Sequence, residues 1–273
     1  IRGTLSVNHD LPTELAQGLF ARPGTHPVFI RISTNAGDIL PDAISLPRGF
    51  AMKVLAAEGE RLPGAEGNSQ DFVMVNGPVF QTKTAEQFLG NLKMLAKTTD
   101  RLEGTKKVMS SVLRTVNTAL ETVGVSSTKV QSLGGAPNVD PLGETYFSVT
   151  PFRYGNHVAK FRVRPVSQDL TSLTGEKIDA GGRPDAIRET VRDEMRNVHA
   201  RWEFQVQLCR DLEKQPIEDP TVEWSEEEAP FVTVATITAD PQDSWSEENV
   251  QAVDQGMRFS VWTGLSAHQP LGN

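Results

Sequence analysis

Apolar residues in this chain recur at two periods, and the period changes several times. "THPVFIRIST" (25–34) alternates, with Val28, Ile30 and Ile32 on one face and Arg31 and Ser33 on the other. That is the pattern of a strand, whose side chains point to opposite faces in turn. "RGFAMKVLA" (48–56) and "QDFVMVNGPVF" (70–80) read as two more strands, the latter ended by Gly77-Pro78. The period then becomes helical. Thr84 and Gln87 form a capping box ahead of Phe88, Leu92 and Leu95, and a second helix over 104–123 carries Val108, Val112, Val116 and Leu120 along one stripe. "SLGGAPNVDPLGE" (132–144) reads as a loop.

Strands return in "TYFSVTPFRYGNHVAKFRVRP" (145–165), where "RYGN" predicts a hairpin turn. A third helix is expected over about 184–200, with Ile187, Val191, Met195 and Val198 on its buried side. "RWEFQVQLC" alternates Trp202, Phe204, Val206 and Leu208 against Glu203, Gln205 and Gln207, and "FVTVATITA" (231–239) is a further strand. Ser246 caps a short helix that begins with acids. Strands are joined by hairpins or helical insertions rather than by a regular strand–helix beat. The fold class is therefore α+β, with an antiparallel sheet or barrel.

Composition narrows the function. The 273 residues, 38% hydrophobic, suffice for a real core. A net charge of −8, with no basic run, argues against nucleic acid. The acidic run "EWSEEEAP" (223–230) reads as a solvated loop. One cysteine, Cys209, excludes an internal disulfide and a cysteine zinc site. This suits the cytoplasm, and a periplasmic protein without disulfides would look the same. No run of 18 apolar residues predicts a membrane span. The five histidines are isolated and expected at the surface or in caps. There is no Gly-x-Ser-x-Gly elbow and no phosphate-cradling loop.

What remains is the strand face of Arg31 and Ser33. It either faces solvent or looks into a pocket, where an arginine meets an anionic group and a hydroxyl orients a reactive neighbour. Asn76, at the end of its strand, is either a turn former or an amide aimed into the same pocket.

These stretches resemble a known family. "FIRISTNAGDILPDAISLPRGFAMKVL" resembles the core of heme catalases, an R-F-S-T strand followed by D-P-R-G-F-A-x-K-F. "DFVMVNGPVF" is similar to their N-N-T-P-x-F-F segment, "TKTAEQFLGNLK" to the helix that follows it, and "GTLSV" to the G-x-F-x-V after the distal histidine. The ending "AHQPLG" resembles the small catalase-related proteins. The resemblance is strong over residues 3–95 and beyond that rests on the order of elements.

It implies a single catalase-like domain over 1–273, a barrel with helices outside, heme as cofactor, a homo-oligomer, and hydrogen peroxide or an organic hydroperoxide as substrate. Arg31 would pair a heme propionate and Ser33 would hydrogen-bond the distal histidine. Asn76 would help orient peroxide, although its distance to the proline matches the second asparagine of the family pair. Phe88 would stack near the porphyrin. Arg31, Ser33 and Asn76 are expected to face inward. The chain departs from the family at both ends. No histidine precedes "GTLSV", and Tyr146 and Tyr154 both lack the R-x-x-x-Y setting of the iron-binding tyrosine. The distal histidine and the proximal tyrosine helix are expected to lie outside the given sequence. The alternatives are a fatty-acid hydroperoxide-converting enzyme of the allene oxide synthase type and a heme-free binding or structural module.

Overall fold

The computed structural model describes residues 1–34, 41–43, 45–90, 93 and 138–272. Leu92, Leu95 and the helix expected over 104–123 lie outside them, as does the first part, 132–137, of the loop expected over 132–144. Nine strands are described: β1 (Arg2–Val7), β2 (Gly24–Thr34), β3 (Arg48–Val54), β4 (Gln70–Val75), β5 (Tyr146–Phe147), β6 (Phe152–Tyr154), β7 (His157–Pro165), β8 (Ala200–Leu208) and β9 (Val232–Ala239). They pair in the order β5-β4-β3-β2-β1-β9-β8-β7-β6, and β5 also pairs with β7. That last pairing, Tyr146↔Val163 and Phe147↔Arg162, closes eight strands into an antiparallel barrel and leaves β6 as a hairpin arm on β7. Closure removes the exposed sheet edges at which chains associate.

The alternation read from the sequence has its physical cause in this ring. Ile30, Met52 and Phe72 sit opposite one another across β2, β3 and β4, and all three are buried. Trp202, Phe204 and Val206 do the same from β8. An eight-stranded barrel is just wide enough for such side chains to fill it. Phe72 and Phe204 lie 4.7 Å apart between ring centroids, and Phe72 and Phe161 5.2 Å. A turn at Gly18–Phe20 inserts Phe20 against Phe204 at 5.1 Å. His268 enters beside it, fully buried, with Nε2 accepting the Leu19 N–H at 3.0 Å. This corrects the expectation that each histidine lies at the surface or in a cap. Burial among aromatic rings holds the imidazole neutral and draws its pKa down to about 3.

The face of β2 that carries Arg31 and Ser33 is the outer one. Arg31 pairs in register with Ala51, and Ala51 with Val73, which is part-exposed. Ile30 and Ile32 take the inner parity. The expectation that Arg31, Ser33 and Asn76 all face inward is therefore corrected: an odd-numbered pair and an even-numbered residue cannot share a face of this ladder. Asn76 follows the parity of Phe72 and Met74, just beyond the end of β4.

The helix expected over 184–200 is shorter, α1 (Ala186–Met195). Ile187, Val191 and Met195 are buried as expected. The strand β8 takes the chain from Ala200, opposite Ala239, so the helix must end before it. Residues 85–90 are helical, with Thr84 Oγ1 accepting the Gln87 N–H at 3.3 Å. The acidic 223–230 loop packs as well as solvates. Trp224 is buried, and Gln207, on the outer face of β8, donates to the Trp224 and Ala229 carbonyls. Ser246 Oγ accepts from Asn249 N–H, capping a turn that continues as a π-helix over Val250–Gln255. Among the described residues no helix is long and apolar enough to cross a membrane.

Candidate functional site

The pairing of β1 with β2 reaches Arg2↔Phe29, and Ile30 N–H bonds the Ile1 carbonyl at 2.8 Å. Beyond that point Arg31–Thr34 are paired with β3. Along this edge lies a cavity of about 540 Å³. Both faces of β2 contribute to it, from Ile30 to Thr34. The facing wall comes from α1, through Ile187, Arg188 and Val191, and from Trp245, Asn249 and Val253. Arg48, the first residue of β3, also lines it.

Arg31 and Ser33 thus reach one cavity, half-buried, as their shared strand face predicts. The Arg31 guanidinium lies 5.6 Å from the Phe259 ring centroid, a cation–π contact. No carboxylate among the described residues pairs with it. Asn76 does not line the cavity. It stands one layer behind, its Oδ1 accepting the Arg48 backbone N–H at 2.7 Å and its Nδ2 donating to both Glu144 carboxylate oxygens at 2.9 Å. Phe88 does not line the cavity either; its ring packs against Phe80 at 5.1 Å.

Three residues of this region were missed from sequence. Arg48 is one of the largest fully buried side chains. Its Nη1 donates to the Leu46 carbonyl at 2.8 Å and its Nη2 to Asn138 Oδ1 at 2.5 Å, while Nε finds no acceptor among the described residues. Burial lowers its pKa, and nearby Glu144 opposes that most. The available signal was its place in "LPRGFA", directly beside Gly49. Glu144 is pushed up to about 7 by burial, against the hydrogen bond from Asn76 and the charge of Arg48. Glu194, on α1, is a carboxylate neighbour of Asp140. Burial first, and then that neighbour, push Glu194 up to about 8. Nothing in the one-dimensional pattern brings positions 48, 144 and 194 together.

The heme implied by the resemblance fits this lining in part. Arg31, Arg48 and Arg188 are suited to carboxylates, and Ile32, Ile187, Val191 and Val253 to an apolar ring face. Among the described residues the lining holds no His, Tyr, Cys or Met that could serve iron as an axial donor. Tyr146 and Tyr154 are fully buried, their hydroxyls donating to the Pro141 carbonyl at 2.7 Å and the Leu15 carbonyl at 2.6 Å. Among the described residues no cluster of three or more His, Cys, Asp or Glu could hold a metal ion.

The catalase family model matches residues 1–256. The architecture is similar to a fungal catalase crystal structure, with a TM-score of 0.67 at 18% identity over 98% of this chain and 53% of that one. It is also similar to catalase A from Saccharomyces cerevisiae, at 0.65 and 18% over 98% and 55%, and to a bacterial catalase, at 0.66 and 16% over 98% and 51%. The chain spans about half the length of these catalases. No curated protein sequence matches it.

Proposed function

Because the chain belongs to the catalase family, we propose that it is the barrel core of a heme-dependent oxidoreductase acting on hydrogen peroxide or an organic hydroperoxide. The observation that carries this reading is Arg31, a half-buried guanidinium with no carboxylate partner among the described residues, beside a cavity whose walls mix aliphatic side chains, such as Ile32, Ile187 and Val191, with charged and polar ones, such as Asp42, Arg188 and Asp254. Arg31 would hold a porphyrin carboxylate through a charge-assisted hydrogen bond. Ser33, two residues along the same face, presents a hydroxyl to fix the ring of a proton-moving side chain. Asn76, clamped between the Arg48 N–H and Glu144 outside the cavity lining, would steady the start of β3 rather than meet the peroxide. Phe88 packs on Phe80 and is not part of that lining. Heme, when bound, supplies the redox-active iron for cleaving the peroxide bond.

The aliphatic wall of Ile32, Ile187, Val191 and Val253 favours a second reading, a hydroperoxide on an apolar chain. Added hemin tests the first reading. It predicts an absorption band near the Soret region that weakens in Arg31→Leu, while Ser33→Ala keeps the band and lowers turnover. Equal hemin retention by Arg31→Leu would sink it. Parallel assays with hydrogen peroxide and a fatty-acid hydroperoxide separate the two substrates.

A further inference from the structure

We propose that Lys160 is a carbonyl-trapping amine: in a small cavity on the outer face of β7 and β8 it condenses with a short-chain aldehyde to give an imine. The site is independent of the peroxide reading, since its cavity shares no lining residue with the one at the β2 edge.

Lys160 lies opposite Gln207 in the pairing of β7 with β8, on the face turned away from the barrel core. The 223–230 loop covers that face, and only 4% of Lys160 is exposed. Between them is a cavity of about 70 Å³, walled by Phe147, Val149, Trp224 and Phe231, which Lys160 itself lines. That is about half the volume of a cavity that takes benzene. It suits a body of two or three carbons and excludes a fused ring.

A lysine is rarely buried without a carboxylate, because an unpaired ion is costly to take out of water. Lys160 Nζ donates to a neutral group, the Val222 carbonyl, at 3.1 Å, and lies 4.9 Å from the Trp224 ring centroid. The acids bordering the cavity do not pair with it. Glu226 binds Arg162 at 2.7 Å, and that guanidinium stacks over Phe231 at 4.0 Å. Glu223 acts on Lys160 through its charge alone. A carbonyl and a ring offset part of the cost of the ammonium, and no carboxylate offsets the rest. Burial therefore wins over Glu223 and draws the Lys160 pKa down to about 8.

An amine that is partly neutral near pH 7.5, held in an apolar cavity, is primed to attack a carbonyl. The Nζ lone pair forms the C–N bond while the carbonyl π electrons move to oxygen, which takes up a proton. Nitrogen then gives up its remaining protons, the oxygen leaves as water and C=N forms. One amine and one aldehyde become one imine and one water, with nothing oxidised or reduced, and the protons pass through solvent at the cavity mouth. The aromatic walls keep water from the imine once it has formed.

Reductive trapping tests the proposal. The intact chain is treated at pH 7.5 with limiting propionaldehyde and cyanoborohydride, which turns each imine into a stable secondary amine, and peptide mass mapping gives the rate at each lysine. Lys160 is expected to be labelled at least about tenfold faster than the exposed Lys177 and Lys214, because an ordinary lysine amine is almost wholly protonated at this pH. Its rate is expected to level off above about pH 8, while that of Lys214, whose pKa its Glu228 partner raises, keeps climbing. 2-Naphthaldehyde, too large for the cavity, is expected to label Lys177 and Lys214 and spare Lys160. Lys160→Met is expected to abolish the fast labelling and leave the other two rates unchanged; should that variant not fold, the wild type in urea takes its place and is expected to lose the advantage of Lys160. Labelling of Lys160 no faster than Lys177 overturns the reactive amine. Equal labelling by 2-naphthaldehyde overturns the cavity, and an advantage that persists in urea overturns its origin in the fold.

Discussion

Lys53 and Asp71 sit directly opposite each other on β3 and β4, with Lys53 Nζ 2.6 and 2.8 Å from the two carboxylate oxygens. The Asp71 side chain is wholly buried, and Phe259 covers the ammonium at 5.4 Å from its ring centroid. Asp71 Oδ2 also accepts the Ser260 N–H at 3.0 Å. One ion pair therefore fastens the 258–265 segment to the outside of the barrel. Burial raises the Asp71 pKa in spite of Lys53, so the pair depends on both partners being present. Lys53→Met leaves an unpaired buried carboxylate and is expected to cost about 3–5 kcal/mol. Lys53→Met with Asp71→Leu is expected to recover part of that in denaturant unfolding. A single variant as stable as wild type would show the pair to be dispensable.

Gly18 and His268 are coupled by space. Gly18 has φ +54, and a Cβ there would stand 2.5 Å from His268 Nε2 and 2.9 Å from Ala267 Cβ. Gly18→Ala is expected to cost about 2–4 kcal/mol, from the left-handed backbone and the clash together. In a double-mutant cycle, adding His268→Ala should cost less than the sum of the two changes. Strict additivity would place the strain in the backbone alone.

Titration of the buried carboxyls should be visible as stability. Glu144, raised to about 7, and Glu194, raised to about 8, favour the folded state while protonated, and that contribution is lost as pH rises through those values. His268, lowered to about 3, acts in the opposite sense and is fully favourable only above its ordinary 6.5. Lys160, drawn down to about 8 by burial, adds stability only as pH climbs above 8. The Ile1 ammonium, drawn down to about 6 by burial, acts in the sense of His268 and opposes the two carboxyls between about pH 6 and 8. The readout is therefore a difference: from pH 6.5 to 8 the thermal midpoint of the wild type is expected to fall relative to that of Glu194→Gln. A difference that stays flat across this window would contradict the assignment.

The two tyrosines are structural hydroxyls in this barrel. Tyr146→Phe removes the hydroxyl donor of the buried Pro141 carbonyl and is expected to cost about 1–3 kcal/mol, whereas Tyr154→Phe leaves the Leu15 carbonyl with the Gln17 N–H and is expected to cost less. Neither change is expected to alter a hemin spectrum. Loss of an iron-to-tyrosinate band in either variant would show that the ring leaves the barrel to reach the metal.

The α+β class, the strands and their faces were legible in sequence because a barrel wall demands period two. Ile30, Met52, Phe72 and Phe204 announce the interior through that period alone. Arg31 and Ser33 were legible as a shared face for the same reason, and the stretches 27–55 and 71–80 carried the catalase resemblance. Periodicity says that two faces differ, but it does not say which one the ring closes around. Closure through Tyr146↔Val163 turned the Arg31 face outward and gave it a cavity against α1 instead of the barrel lumen. His268 is indistinguishable in sequence from a surface histidine, and only the insertion of 266–268 beside Phe20 buries it. Arg48, Glu144 and Glu194 lie far apart along the chain, and their shifted proton affinities come from desolvation, which exists only once the fold excludes water. Alternation set by the local chain survives translation from sequence to structure, whereas closure, burial and the charges they leave unpaired belong to the tertiary fold.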